Sequence, residues 1–269
     1  MSGGSAEPGG PVHWDADAYH RSASAQTGWG REVHRRLALR GDEQVIDLGC
    51  GDGRLTAELA ARVPRGRIIG IDADPDMVDF ARRHHPRQNV AYALGDAQRF
   101  SLGRGTDLVV STACLHWVKD HAAVLGCCRR HLEPGGRIHF QMGGRGNCAG
   151  ILAAAESVAG EPRWAPHLLP FSTPWRFQGP QAYRRLLPRC GFRVLRAVLL
   201  ARDMVHDGPE GLRAWIRTTW MPVLARVPEA LCTELVDAVV ARYLERRPPD
   251  ARGRTHVDVV RFEVEAVAV

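Results

Sequence analysis

Residues 45–56, Val-Ile-Asp-Leu-Gly-Cys-Gly-Asp-Gly-Arg-Leu-Thr, constrain the fold of this chain more than any other stretch. A short apolar run, residues 44–48, ends in glycines at 49, 51 and 53, and a helical pattern over residues 55–63 follows until Pro64 stops it. This is strand, turn, helix. A turn with three alternating glycines lets main chain come close to a ligand, where any β-carbon would fill the space or forbid the backbone angles. A dinucleotide-binding loop places its third glycine one position later, where this chain has Arg54, so the spacing favours another ligand.

The pattern repeats downstream. Residues 67–71, 90–94, 107–111 and 137–142 read as strands; residues 76–84 and 122–132 read as helices, with a Pro134-Gly135-Gly136 turn before the last of these strands. Repeated β-α-β units of this length call for a parallel sheet with right-handed crossovers. Upstream, residues 19–39 form a loosely helical prelude ending at Gly41, behind a Gly, Ser and Pro-rich tail over residues 1–11. Beyond Met142 the regularity breaks. Residues 143–179 are rich in Gly, Pro and aromatics and read as a helix plus a loop beside the site; a short helix follows near residues 182–187. Residues 192–200 and 256–269 read as strands, and two helices over residues 211–219 and 229–246 interrupt them as a lid.

At 269 residues with 45% hydrophobic side chains, the chain buries a sizeable core and fits one α/β domain with a helical cap. Its apolar runs are too short to span a bilayer, and the first residues have neither a basic start nor an apolar stretch, so a cytoplasmic protein is the expectation. The net charge of +6 invites a nucleic-acid reading, but Lys119 is the one lysine and the arginines are scattered, so nucleic acid is disfavoured as a partner. Seven cysteines without paired C-x-x-C spacing indicate neither metal nor redox motif. Oligomeric state leaves no mark in the sequence.

Two further acids sit where strands end. Asp72 closes the strand over residues 67–71, where a carboxylate can accept hydrogen bonds from both hydroxyls of a ribose; Gly95-Asp96-Ala97 closes the next, where a side-chain oxygen and an amide can hold an adenine edge. With residues 47–56, Gly70-Ile71-Asp72, Gly95-Asp96-Ala97 and Leu132-Glu133-Pro134-Gly135-Gly136, the chain resembles the class I S-adenosylmethionine methyltransferases. The resemblance implies a Rossmann-like α/β fold, a seven-stranded doubly wound sheet with its last strand antiparallel, plus a helical lid. It implies S-adenosyl-L-methionine as cofactor, with Asp47, Gly49, Cys50, Gly51, Gly53, Asp72, Ala73, Met77, Asp96, Ala97, Thr112 and Trp117 around it and Tyr19 and Gln26 closing over it. It also divides the chain into the tail, an N-terminal helical cap over residues 12–40, a cofactor-binding core over 41–142, and acceptor-side insertions with closing strands over 143–269.

His13-Trp14-Asp15-Ala16, Leu115-His116-Trp117-Val118 and the tail segments 220–224 and 227–231 narrow the likeness to the trans-aconitate and juvenile-hormone-acid methyltransferase group. That group implies methyl transfer to a small-molecule acceptor, foremost to the oxygen of a carboxylate or hydroxyl. Carbon or nitrogen methylation of a natural product, an isoprenoid included, is the alternative, and an inactive cofactor-binding protein is the alternative of another class. A carboxylate acceptor needs no base, being ionised near neutral pH, but asks for an arginine clamp; Arg145, Arg176, Arg217 and Arg261 are the candidates. A hydroxyl acceptor would use His116 as general base, with a merely packed histidine as the competing reading. The aromatics over residues 164–177, with Trp215 and Trp220, suit either an apolar pocket or ordinary core. Ser111-Thr112-Ala113-Cys114 replaces the Asp or Asn, Pro, Pro, aromatic sequence of enzymes that methylate adenine bases, which counts against that substrate.

Overall fold

The structure is a computed structural model that describes Ala16, residues 24–103 and residues 105–269, with the side chains of residues 24–26 outside the description. The tail over residues 1–11 and the candidate site residue Tyr19 therefore lie outside the described residues, as does the side chain of Gln26.

Seven strands form one sheet in the order β3-β2-β1-β4-β5-β7-β6. They are β1 (Gln44–Leu48), β2 (Arg67–Asp72), β3 (Val90–Leu94), β4 (Thr106–Thr112), β5 (Leu132–Gly143), β6 (Phe192–His206) and β7 (Thr255–Ala268). β1 to β5 run parallel, and β7 enters antiparallel between β5 and β6. Strand order reverses between β1 and β4, which creates the switch point where open α/β sheets hold ligands. β1 earns its central place by composition: Val45, Ile46, Asp47 and Leu48 are all buried, as a strand covered on both faces requires.

Helices flank this sheet: α1 (Ser24–Arg35), α2 (Arg54–Ala60), α3 (Pro75–His84) and α4 (His121–His131) among its early strands. α3 begins where local chemistry tells it to. Asp74 caps it, accepting from the amides of Asp76 (2.8 Å) and Met77 (3.1 Å), Pro75 opens the first turn, and Met77, Val78, Phe80 and Ala81 are its buried residues. Residues 133–136 leave the sheet: Leu132 pairs with Thr106 and Arg137 with Leu108, so the Pro-Gly-Gly turn bulges out between the two pairings.

Two large apolar cores stand out among the described residues. One lies against the sheet and centres on Phe140, Tyr183, Phe262 and Val264; truncating fully buried Phe262 to Ala should cost about 3–5 kcal/mol. The other is built by the elements that follow β5: α5 (Ala149–Ala159), α6 (Ala165–Leu168), α8 (Gly208–Thr219), α9 (Met221–Leu224) and α10 (Glu229–Leu244), with α7 (Pro180–Arg189) packing instead on β6. Ile151, Ala155 and Val158 of α5 share this core with Val236, Val239 and Val240 of α10. Three helices, not two, stand between β6 and β7. β6 also runs six residues beyond the expected end, its outer half hidden from a hydrophobicity reading because Ala201, Arg202, Asp203 and Val205 alternate on an exposed edge. Among the described residues no helix is long and apolar enough to cross a membrane.

Candidate functional site

The turn after β1 is laced to its neighbour. Gly49 and Cys50 donate their amides to the carbonyl of Ile71 (2.7 and 3.1 Å), Gly51 donates to Asp72 Oδ2 (2.8 Å), and Asp72 Oδ1 accepts from Asp74 (3.0 Å). Gly95 donates to the carbonyl of Asp72 at 2.8 Å, so the end of β3 joins the same rim. Three strand ends thereby form one edge. Gly49 has φ 71°, and a Cβ there would lie 2.2 Å from Cys114 Sγ, so only glycine fits. Gly53 does different work: with φ 81° it opens α2, and its missing Cβ leaves room for Ala81 and the Tyr92 ring.

A small cavity of about 450 Å³, mouth included, opens at this edge, lined by Asp47, Gly49, Cys50, Gly51 and Thr112 together with Thr27, Asp52, Leu55 and Ala113. Among the described residues two carboxylates and no cationic side chain line it. Burial pushes the Asp47 carboxyl up to about 6, against the 2.6 Å hydrogen bond it accepts from Thr56 Oγ1 and with the help of nearby Asp72. Asp72 is raised as well, first by burial, although the amides it accepts oppose the shift. The Thr112 hydroxyl is buried without a hydrogen-bond partner among the described residues. Burial, with Asp72 and Asp47 nearby, also pushes the Cys50 and Cys114 thiols up, so neither is a thiolate nucleophile. This donor set fits a ligand carrying sulfonium and ammonium charges and a hydrogen-bonding edge, as S-adenosylmethionine does. It does not suit the dianionic diphosphate of a nicotinamide dinucleotide, which two carboxylates would repel.

Asp72, Ala73, Met77, Asp96 and Ala97 do not line this cavity. Asp96 accepts from the Gln98 amide at 2.9 Å and pairs with Arg99 at 3.3 Å; Ala97 is buried against the sheet core; Ala73 is exposed at the tip of β2. Met77 packs with Ala16 and Phe80.

A second, larger cavity of about 820 Å³, mouth included, adjoins the first. Ala113 lines both, held at φ 55° in the left-handed region that an alanine rarely adopts, with its amide on the Gln141 carbonyl at 2.8 Å. Trp117 belongs to this larger cavity, with Trp175, Phe177, Trp215 and Trp220, so these aromatics wall a space while partly joining the core. His116 is here too. Burial first, then His121, lowers its pKa to about 4, so the ring is neutral near pH 7; Nδ1 accepts from the Gly143 amide at 3.4 Å, which leaves the proton on Nε2.

Of the four candidate arginines, Arg261 alone lines this cavity. Arg145 and Arg176 are exposed, and exposed Arg217 pairs with Glu210 at 3.3 Å. Arg261 is 2% exposed, reaches Glu32 Oε2 at 3.2 Å and Glu263 Oε1 at 3.5 Å, and lies over the Trp29 ring at 5.4 Å. Thr27, Asp52 and Leu55 of the small cavity, and Trp29, Asn147 and Thr219 of the large one, were not singled out by sequence. Asp52 and Leu55 lie inside the glycine motif itself; the others carry no local signal.

Comparison with known proteins agrees with this geometry. A methyltransferase domain family matches residues 45–136. The trans-aconitate 2-methyltransferase of Deinococcus radiodurans is 31% identical, with 83% of this chain and 87% of that protein covered; the enzyme of the same name from Methylobacterium nodulans is 31% identical over 90% and 93%. Among solved structures, BH2331 of Bacillus halodurans matches with a TM-score of 0.61 at 18% identity, covering 88% of this chain and 97% of that one. Phosphoethanolamine N-methyltransferase 2 of Haemonchus contortus, solved with S-adenosyl-L-methionine, gives 0.57 at 18%, covering 94% and 56%. With its sheet order, glycine edge and acidic cavity, the chain belongs to the class I S-adenosylmethionine-dependent methyltransferases.

Proposed function

We propose that this enzyme methylates a carboxylate oxygen of a small organic acid, with the cofactor in the glycine-edged cavity and the acid in the aromatic one. The observation that carries this reading is the pair of adjoining cavities meeting at Ala113, the acceptor side holding a buried arginine. The relatives named for trans-aconitate methylation support the same reaction class.

In this reading the glycine edge lets the amino-acid portion of the cofactor approach the main chain and the Thr112 hydroxyl binds it, Asp72 takes the ribose hydroxyls, and Asp96 with the Ala97 amide meets the adenine edge. Asp47 supplies negative charge, and Ala73 stands exposed where β2 ends. When bound, S-adenosylmethionine supplies a methyl carbon on sulfonium, which an acid oxygen takes as the carbon–sulfur electron pair stays on sulfur. No proton moves, so the protein's work is to bind, align and exclude water. Trp117 and Trp175 dry the acceptor cavity, and α1 with the segment 143–269 caps both sites.

His116 fits this chemistry as a hydrogen-bond donor through Nε2, not as a base, because Nδ1 already accepts an amide proton. The test is transfer of labelled methyl from S-adenosylmethionine into a panel of acids, phenols and amines, followed by mild alkali. An ester releases its label as methanol. Label that survives alkali would replace this reading with ether, carbon or nitrogen methylation, and cofactor binding with no transfer would leave an inactive binding protein.

A further inference from the structure

The charges around the acceptor cavity bear on what enters it, granted the carboxylate reading above. Its walls are ring faces and edges: Trp175 lies nearly parallel to Phe177, at 10° and 6.1 Å between centroids. Trp175 also meets Trp117 and Trp220 edge-on at 5.7 and 5.5 Å. Interlocked rings of this kind are stiff, and they favour a flat π-system that can lie against one face and meet another by its edge.

Among the described residues Arg261 is the one Lys or Arg side chain lining this cavity, and no Asp or Glu lines it. Its surroundings leave it with positive charge to spare. Glu32 and Glu263 are shared by Arg36, Arg196, Arg202 and Arg261, four guanidinium groups on two carboxylates. The other three arginines are 37–41% exposed and meet water; Arg261 is 2% exposed, and its Nε is buried without a hydrogen-bond partner among the described residues. Arg261 stands opposite Gly143 in the β5–β7 register, two residues along from Gln141, whose carbonyl holds the Ala113 amide. The cation therefore belongs to the end of the cavity that adjoins the cofactor side.

We propose that the acceptor is a monocarboxylic acid with a flat aromatic body, its one carboxylate gripped by Arg261 and its ring seated among the tryptophans, and that tricarboxylates are refused. One guanidinium matches one carboxylate in two-point contact, and a second or third carboxylate would enter the aromatic walls with no cation to meet it. That sets this enzyme apart from the substrate for which its relatives are named.

The experiment measures methyl-ester formation by the full chain with S-adenosylmethionine and benzoate, trans-cinnamate, 2-naphthoate, decanoate, trans-aconitate or citrate. The aromatic monoacids should exceed the tricarboxylates in kcat/KM by about a hundredfold or more, the scale of an unmet buried charge. Arg261→Gln should raise KM for the aromatic acid about tenfold while the Kd for S-adenosylmethionine stays the same. Since losing a buried arginine can unfold the chain, Leu152→Arg gives a second arm: a cation added to the wall should shift preference toward phthalate over benzoate by about tenfold. A faster rate with trans-aconitate, a preference for decanoate over all aromatic acids, or no shift with Leu152→Arg overturns this proposal and leaves carboxylate methylation standing. Turnover of phenols or amines but of no acid overturns both.

Discussion

The two cavities that meet at Ala113 are built in opposite ways. The side proposed for the cofactor is made from a glycine turn and two acids, five of its lining residues falling between Asp47 and Asp52, with few side chains large enough to move. The acceptor side is made from bulky side chains drawn from Trp29 to Arg261, across most of the chain. A main-chain site tolerates almost no substitution at its centre, whereas a side-chain site can be re-lined without disturbing the sheet. The difference explains how one fold keeps its cofactor while its acceptors vary.

The sharpest way to break this contrast is Gly49→Ala. Its Cβ would meet Cys114 Sγ at 2.2 Å, and its φ of 71° is unfavourable for alanine. Left-handed strain of about 1–2 kcal/mol plus overpacking of about 1–3 kcal/mol should be lost from stability. Cofactor binding should disappear with it. Urea denaturation and calorimetric titration check the two halves; a variant that binds normally would mean the turn does not touch the ligand.

Acid should act on the two sides with opposite signs. His116 on the acceptor side, with His34 and His139 elsewhere, is held by burial near a pKa of about 4 against 6.5 when free. Below 6.5 the unfolded chain takes up protons that the folded chain refuses, so these groups withdraw stability as pH falls toward 4. Asp47 on the cofactor side runs the other way: folded, it holds its proton up to about 6, and unfolded it releases it by 3.8, so acidification through that window favours the fold. Three histidines outweigh one carboxyl, and going from pH 7.5 to pH 5 should cost about 2–5 kcal/mol, read from urea midpoints. A midpoint that rises on acidification would mean that the histidines are already protonated in the folded chain.

Asp72→Ala should weaken S-adenosylmethionine binding by about 1.5–3 kcal/mol, tenfold or more. Part of that loss is indirect, since Asp72 also holds the amides of Gly51 and Asp74, and Asp72→Asn, which keeps one acceptor oxygen, should recover some of it. Calorimetry on the pair sharpens how much of the cofactor side is direct contact; unchanged affinity in both would remove Asp72 from the site.

What was legible in the sequence follows the same division. Residues 44–48 and 90–94 match β1 and β3 to the residue, the first because a buried central strand is a continuous apolar run, the second because turn formers bound a short apolar run at the sheet's edge. The glycine edge was legible because its parts are contiguous. Ala113 was not: nothing in an alanine announces positive φ, and only the packing of β4 against β5 imposes it. Arg261 stood among four candidates because the sequence is rich in arginine, and only burial tells it apart from Arg145, Arg176 and Arg217. The tryptophans were visible as aromatics but not as walls, since the turn from α8 into α9 brings Trp220 to Trp175 from some forty residues away, with Trp215 of α8 against Trp220.

The smallest expected effect concerns His116, where sequence pointed to a base and hydrogen bonding points to a donor. A general base contributes about 10²–10⁴-fold, and a variant that cannot take a proton should lose that much. Gln at this position cannot act as a base, but its amide can accept from Gly143 and still donate into the cavity, as the neutral ring does through Nε2. His116→Gln should therefore keep kcat within about tenfold for an acid acceptor, a loss of about 1 kcal/mol at most. The wild-type rate should be flat between pH 7 and 9, since a ring with a pKa near 4, a carboxylate acceptor of similar pKa and Asp47 with a pKa of about 6 are all past titration there. A hundredfold drop in the variant, with an acid limb in the wild type that the variant lacks, would restore the base and with it a hydroxyl acceptor. Either outcome decides whether the acceptor side acts through a proton or only through shape, charge and dryness.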